Sequence, residues 1–278
     1  MNMQAINSIP KRIILNIIKP LHVVSLDAMG TVIRMKENPS DVYVRFGEER
    51  GISADPQAVA FRFRELRTHM RAREKCFAYY GGGPEHWWSE VVRGCFFEYS
   101  RDPEVIGKLC KDLFDYYATA EPWELIEEDI VSSFKTIKDH GLKLAIASDF
   151  DYRLHSIFEK FNLHSFIDVW VLSGEQGVSK LEHKTNGSPI FQRLLDLFEE
   201  KNLGKYQPRE IVHIGNDVFA DFIQARDFGA QCLLLMKQHD PDDPSKINPR
   251  FVSFRNRPAD DQITPSVSAF VKACVSEN

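Results

Sequence analysis

The segment His22-Val23-Val24-Ser25-Leu26-Asp27-Ala28 is a short apolar run that ends on an acid and is followed by Gly30-Thr31. Such a run reads as a parallel strand buried on both faces, with a functional side chain at its C-terminal end. It is not alone. Leu142 to Ala147 ends at Ser148, and Ile211 to Ile214 ends at Gly215. Cys232 to Met236 has the same character, as has Ile167 to Leu172 apart from Asp168. Amphipathic helical patterns separate the runs: Glu127 to His140, Tyr152 to Phe161, Pro189 to Lys201 and Val218 to Phe228. Strand alternating with helix predicts an α/β protein built on a Rossmann-like, doubly wound parallel sheet.

Residues 36 to 120 break this alternation. Ser40 is placed to cap a helix opening on Asp41-Val42-Tyr43-Val44. Ala54 to Phe77 is a long, strongly charged helical stretch, and Tyr79-Tyr80-Gly81-Gly82-Gly83-Pro84 is a loop. Glu85 to Tyr99 and Pro103 to Tyr117 complete a run of four helices, with no strand read among them. The expected organisation is an N-terminal extension at 1–21, an α/β core at 22–35 and 121–278, and an inserted α-helical cap at 36–120. The stretch from Gln238 to Gln262 is mostly polar and contains proline, as expected of chain wrapping a surface.

Composition narrows the partners. With 43% hydrophobic and 27% charged residues, the chain has the balance of a soluble globular protein. A net charge of −5 provides no general attraction to nucleic acid or to acidic membranes. No apolar run is long enough to span a bilayer, so neither nucleic acid nor membrane is an expected partner. The five cysteines form no Cys-x-x-Cys pair, which points to a reducing, cytoplasmic compartment. The first twenty-one residues carry Lys11, Arg12 and Lys19 without an acid, a composition compatible with a mitochondrial presequence, although Pro10 and Pro20 limit any helix there.

Ligands of such sheets bind at the C-terminal strand ends. The polar residues there are Asp27, Thr31, Ser148, Asp149, Asn216, Asp217 and Asp221. Asp217 and Asp221 are spaced to share one face of a helical turn. Carboxylates crowded in this way repel one another unless a cation neutralises them. Hard oxygen donors with open positions suit Mg²⁺. Asp27 is then a candidate nucleophile for phosphoryl transfer, Ser148 a hydrogen-bond donor to a phosphoryl oxygen, and a lysine near residue 180 the counter-charge. Each residue alone has a duller role as a turn, cap or solvated charge. The order of all of them along the chain carries the reading.

That order resembles the haloacid dehalogenase superfamily over residues 22 to 236. Leu26-Asp27-Ala28-Met29-Gly30-Thr31 is similar to its nucleophile motif, and Ala145-Ile146-Ala147-Ser148 to its second. Gly177-Val178-Ser179-Lys180 matches the Gly-x-x-Lys motif, and Gly215-Asn216-Asp217 with Asp221 the acidic one. Ser148-Asp149-Phe150-Asp151-Tyr152-Arg153-Leu154 and the pair Trp87-Trp88 look like features of one branch of that superfamily. The resemblance implies Asp27, Ser148 and Lys180 as catalytic residues. It implies Thr31, Asp149 and Lys184 as substrate contacts, and Asp27, the Met29 carbonyl, Asp217 and Asp221 as ligands of Mg²⁺. The substrate would be a small phosphorylated molecule.

There are departures from the pattern. Met29 stands where the phosphatases of that superfamily carry a second Asp as general acid and base. Lys184 competes with Lys180 as the phosphate lysine, because the segment after Lys180 lacks the usual Lys-Pro-Asp-Pro. Three functions remain open: Mg²⁺-dependent phosphoester hydrolysis through Asp27, metal-free hydrolysis of a carbon–halogen bond, and phospho-ligand binding without turnover. The aromatics Phe77, Tyr79, Tyr80, Trp87, Trp88, Phe96 and Phe97 are expected chiefly in a packed interior, and His86 is a candidate replacement acid.

Overall fold

A computed structural model of the protein describes residues 21–182, 188–235 and 258–275. Its centre is β1 (Val23–Leu26), whose four residues are all buried. It is followed by β2 (Ile33–Met35), then by four longer helices: α1 (Pro39–Glu48), α2 (Pro56–Arg73), α3 (Gly83–Phe96) and α4 (Pro103–Tyr116). The remainder runs β3 (Trp123–Leu125), α5 (Ile130–Asp139), β4 (Lys143–Ser148), α6 (Arg153–Lys160), β5 (Val169–Leu172), α7 (Pro189–Glu200), β6 (Ile211–Gly215), α8 (Gln224–Phe228), β7 (Gln231–Leu235), β8 (Ile263–Thr264) and α9 (Val267–Val275).

Six strands form one parallel sheet in the order β5-β4-β1-β6-β7-β8. Successive side chains on a strand point to opposite faces. Val24 and Leu26 accordingly pack with Phe134, Phe158 and Phe270 from α5, α6 and α9. Val23 packs the other way, with Phe191 and Phe198 of α7 and with Phe222. Both faces are covered, which is why the strands read as continuous apolar runs. The five longer strands fall within one or two residues of the runs read in the sequence.

The inserted helices have a hydrophobic cluster of their own, centred on Val59, Trp87, Val91, Phe96 and Leu109. Two details differ from the sequence reading. Pro39 opens α1 and Asn38 holds the N-cap position without a side-chain bond, so Ser40 lies inside the helix and is not its cap. The charged stretch from Ala54 also stops being helical at Arg73, because Cys76 and Phe77 take left-handed backbone conformations with φ of 51° and 55°. Further features were not foreseen. β2 and β3 form an antiparallel pair that flanks the inserted helices, Ile33 facing Leu125. β8 extends the sheet at its edge, and α9 packs against it. The segment Val218–Ile223 is wound as a π-helix. Among the described residues no helix is long and apolar enough to cross a membrane.

Candidate active site

The central strand carries Asp27 to the sheet edge, where its amide still bonds the Ile214 carbonyl of β6 at 3.0 Å. Ser148 arrives on the neighbouring strand and donates its hydroxyl to Asp27 Oδ1 at 3.0 Å. Lys180 Nζ donates to the same oxygen at 2.5 Å and to Asp221 Oδ1 at 2.6 Å. Its side chain is only 2% exposed, so this ammonium is a counter-charge held at the floor of the site. Asp27 Oδ2 makes no hydrogen bond among the described residues.

The loop that delivers Lys180 is fixed by Asp149. Its Oδ1 accepts from the Lys180 amide and its Oδ2 from the Ser179 hydroxyl, both at 3.1 Å. The turn entering the loop needs glycine: Gly177 has φ of 65°, and a Cβ there would lie 2.6 Å from the Tyr79 ring. Asp149 was expected to touch substrate. It lines the cavity above Asp27, but its hydrogen bonds go to the lysine loop. Thr31, also expected at the substrate, is fully buried and donates to Asn216 Oδ1 at 3.4 Å. Asn216 in turn packs on Gly30, whose positive φ and missing side chain make room for the amide. Lys184 lies outside the described residues; the lysine seen at Asp27 is Lys180.

The electrostatics follow from burial. Asp27, Asp149 and Asp221 share one buried ammonium. Burial pushes the Asp27 carboxyl up to about 6, against the pull of Lys180 and aided by the Asp221 charge. Burial alone would also raise Asp221, but Lys180 and His213 hold it well below the usual carboxylate range. For Lys180, burial disfavours the charge, yet Asp221 and Asp27 overcome it and raise the ammonium above its ordinary value. His213, unnoticed in the sequence, is buried with Nδ1 3.0 Å from the Ser25 hydroxyl and Nε2 3.3 Å from Asp221 Oδ1. Burial lowers its pKa, so it is a neutral donor that orients Asp221.

The donors present decide which cation fits. Asp221, expected as a metal ligand, is already engaged by Lys180, His213 and the Asp217 amide, the last at 2.9 Å. It positions the lysine. Asp217 uses Oδ1 to cap the Phe219 and Ala220 amides, each at 2.8 Å, and keeps Oδ2. Among the described residues no three His, Cys, Asp or Glu side chains gather as a cation site. The remaining donors are one oxygen each of Asp27 and Asp217 and the Met29 carbonyl. They are hard and few, which suits Mg²⁺ retaining several waters and does not suit a fully protein-ligated soft metal.

A cavity of about 290 Å³ opens over Asp27, Ser148 and Lys180 and is walled by the inserted helices. Phe77, Trp87 and Trp88 reach it, while Phe96 is wholly interior and Tyr80 and Phe97 are exposed. His86, the candidate replacement acid, instead pairs with Glu74 at 3.2 Å and is not among the residues lining that cavity. The sequence reading missed three of the polar groups that do line it, Arg67, Tyr43 and Tyr117. A signal existed for the first. Arg67 follows Phe63 by one helical turn and so falls beside the apolar stripe of α2.

No family model matches the chain. Haloacid dehalogenase-like hydrolase domain-containing protein 3 of Xenopus laevis is 26% identical over 223 residues, covering 80% of this chain and 86% of that protein. Among solved structures, a defluorinating L-2-haloacid dehalogenase matches with a TM-score of 0.65 at 14% identity, over 91% of this chain and 94% of that one. A HAD phosphatase from Thermococcus onnurineus matches at 0.55 and 17% identity, over 92% of this chain and 98% of that one. In fold and in the order of its motifs, the chain resembles haloacid dehalogenase-like proteins. Its sequence is similar in particular to domain-containing protein 3 of several vertebrates, at 22–26% identity over 77–80% of its length.

Proposed function

We propose that the protein is a Mg²⁺-dependent phosphoester hydrolase with Asp27 as nucleophile and the inserted helices as its cap. One observation carries this reading. Ser148 and Lys180 both bind Asp27 Oδ1, which fixes the carboxylate while leaving Oδ2 free to attack. Attack of Oδ2 on phosphorus forms an aspartyl phosphate and breaks the ester P–O bond, the electron pair leaving on the ester oxygen. Water then attacks the same phosphorus, the bond to Asp27 breaks, and inorganic phosphate and free carboxylate result. Lys180, which gives two of its three protons to Asp27 and Asp221, would offer the third to the charge of the phosphoryl oxygens, and Ser148 would join it only on releasing Asp27 Oδ1. Asp27, the Met29 carbonyl and Asp217 are the groups that would hold Mg²⁺, which supplies positive charge to the transferred phosphoryl group.

Met29 has no proton to give. The leaving oxygen must depart as an anion or take a proton from solvent, so esters of acidic alcohols and phenols are the favoured substrates. The test is hydrolysis of p-nitrophenyl phosphate with and without Mg²⁺, comparing wild type with Asp27→Asn. Turnover should vanish in the variant while its circular dichroism is unchanged; equal turnover sinks the proposal. A second reading, attack by Asp27 on a carbon–halogen bond, is favoured by the engagement of Asp221 with Lys180. It requires no cation. Release of halide from 2-chloropropionate that survives EDTA would put it in first place.

A further inference from the structure

On the cap side of the cavity sits a cation without an anion. Arg67 projects from α2 into the lining, with its guanidinium 5.2 Å from the centre of the Phe63 ring. Its Nε is buried and has no hydrogen-bond partner. Among the described residues no carboxylate pairs with it, whereas Arg34, Arg45, Arg50, Arg62 and Arg153 all have acidic partners. The next turn of the helix adds Arg71 to the same lining. Burial and the Arg71 charge push Arg67 from its ordinary value to about 10, so it remains charged at neutral pH while partly desolvated and without a carboxylate partner among the described residues.

A second unsatisfied donor lies nearby. The Tyr117 hydroxyl is buried, lines the cavity and has no partner. Burial raises its pKa well above that of a free phenol, so it keeps its proton and can donate. Tyr43 joins the two groups. Its ring lies 5.2 Å from that of Phe63, which packs under Arg67, and 6.5 Å from that of Tyr117. Phe77 and Trp88, stacked with centroids 6.2 Å apart, supply another aromatic wall. A half-buried guanidinium whose Nε is buried without a partner costs stability, and natural interiors seldom carry such a donor without a use.

We infer that Arg67 and Tyr117 form an anion subsite in the cap, and that the ligand is a phosphoester whose flat, apolar body carries a carboxylate. This inference rests on the proposed function for its phosphoryl end and on Arg67, Tyr117 and the aromatic walls for the other. The cavity recognises both ends of one molecule. The phosphoryl group meets Asp27, Ser148 and Lys180, and the carboxylate takes the guanidinium fork and the phenol proton. The aromatic collar holds the body between them. Arg67 and Tyr117 are specificity residues, distinct from the groups that touch the reacting phosphorus.

The experiment compares 4-carboxyphenyl phosphate with phenyl phosphate in wild type, Arg67→Met and Tyr117→Phe. The ratio of kcat/KM between the two esters removes effects common to both substrates. The change in that ratio from wild type to variant removes their intrinsic reactivity difference. Wild type should favour the carboxylated ester by at least about tenfold, mainly through KM, and the ratio should fall about tenfold in Arg67→Met and less in Tyr117→Phe. Arg67→Met should not lower the Tm, since Arg67 pairs with no carboxylate among the described residues; an arginine with a structural role would lower it. A ratio unchanged in both variants overturns the subsite. If wild type hydrolyses neither ester, the catalytic reading fails alone, and calorimetry with 4-carboxyphenylphosphonate and phenylphosphonate decides the subsite. Tighter binding of the carboxylated phosphonate that is lost in Arg67→Met supports it, and equal affinities overturn it.

Discussion

Met29 sits two residues beyond Asp27, the proposed nucleophile, lines the same cavity and offers a thioether where proton transfer would call for an acid. If departure of the leaving oxygen is unassisted, the rate must depend on how well that oxygen bears charge. A series of aryl phosphates should therefore show kcat falling steeply as the phenol becomes less acidic. Met29→Asp should flatten the slope and raise turnover of the poorest leaving groups by roughly 10²-fold or more. A wild-type rate indifferent to the phenol would mean that another group supplies the proton. The meeting of Asp27, Ser148 and Lys180 was legible at this scale because each ends or follows a strand of one parallel sheet. The part played by Asp221 was not legible. Its partners, Lys180 and His213, are distant in sequence or hidden inside a strand, and spacing alone could not tell a metal ligand from the group that positions a lysine.

Elements were read well where their signal is long. β1, β4, β5, β6 and β7 are apolar runs bounded by polar residues, and α7 repeats its apolar face over three turns. Reading failed where the signal is short or has no sequence mark. β2 and β3 are three residues each and are defined by pairing with one another across the whole insertion. The left-handed turn at Cys76 and Phe77 uses neither glycine nor asparagine, so nothing local announces it. Helix starts show the same contrast. Asp55 accepts from the Gln57 and Ala58 amides, and Asp102 from those of Glu104 and Val105. Each is a side-chain cap in front of a proline-initiated helix of the insertion. Asp55→Ala and Asp102→Ala should each cost about 1 kcal/mol, read as a lower urea midpoint at unchanged slope. Ser40→Ala should cost less, because that serine turned out not to be the cap.

At the scale of the molecule, a buried ion pair joins the inserted helices to the sheet. Arg153 is 5% exposed and Asp151 is 1% exposed; two of the guanidinium nitrogens meet the two carboxylate oxygens at 2.8 and 2.7 Å. The guanidinium lies 4.1 Å over the Phe114 ring and 5.4 Å from that of Trp88, both from the insertion. Trp88 closes the joint by donating its Nε1 proton to Asp151 Oδ2 at 3.1 Å. Trp88 and Arg153 also line the cavity, so the joint and the binding site share walls. The pair brings charges into the interior at a desolvation cost its own attraction barely repays, whereas one partner left alone is far worse. Arg153→Met should therefore destabilise the protein by about 3–5 kcal/mol. Adding Asp151→Asn removes the stranded charge while keeping an acceptor for Trp88, and stability should return to within about 1–2 kcal/mol of wild type. Urea unfolding of the two variants checks this. If the double variant is no more stable than the single, the joint is held by the shape of the guanidinium between its aromatic neighbours. The position of the insertion over Asp27 would then depend on packing, with charge pairing contributing little.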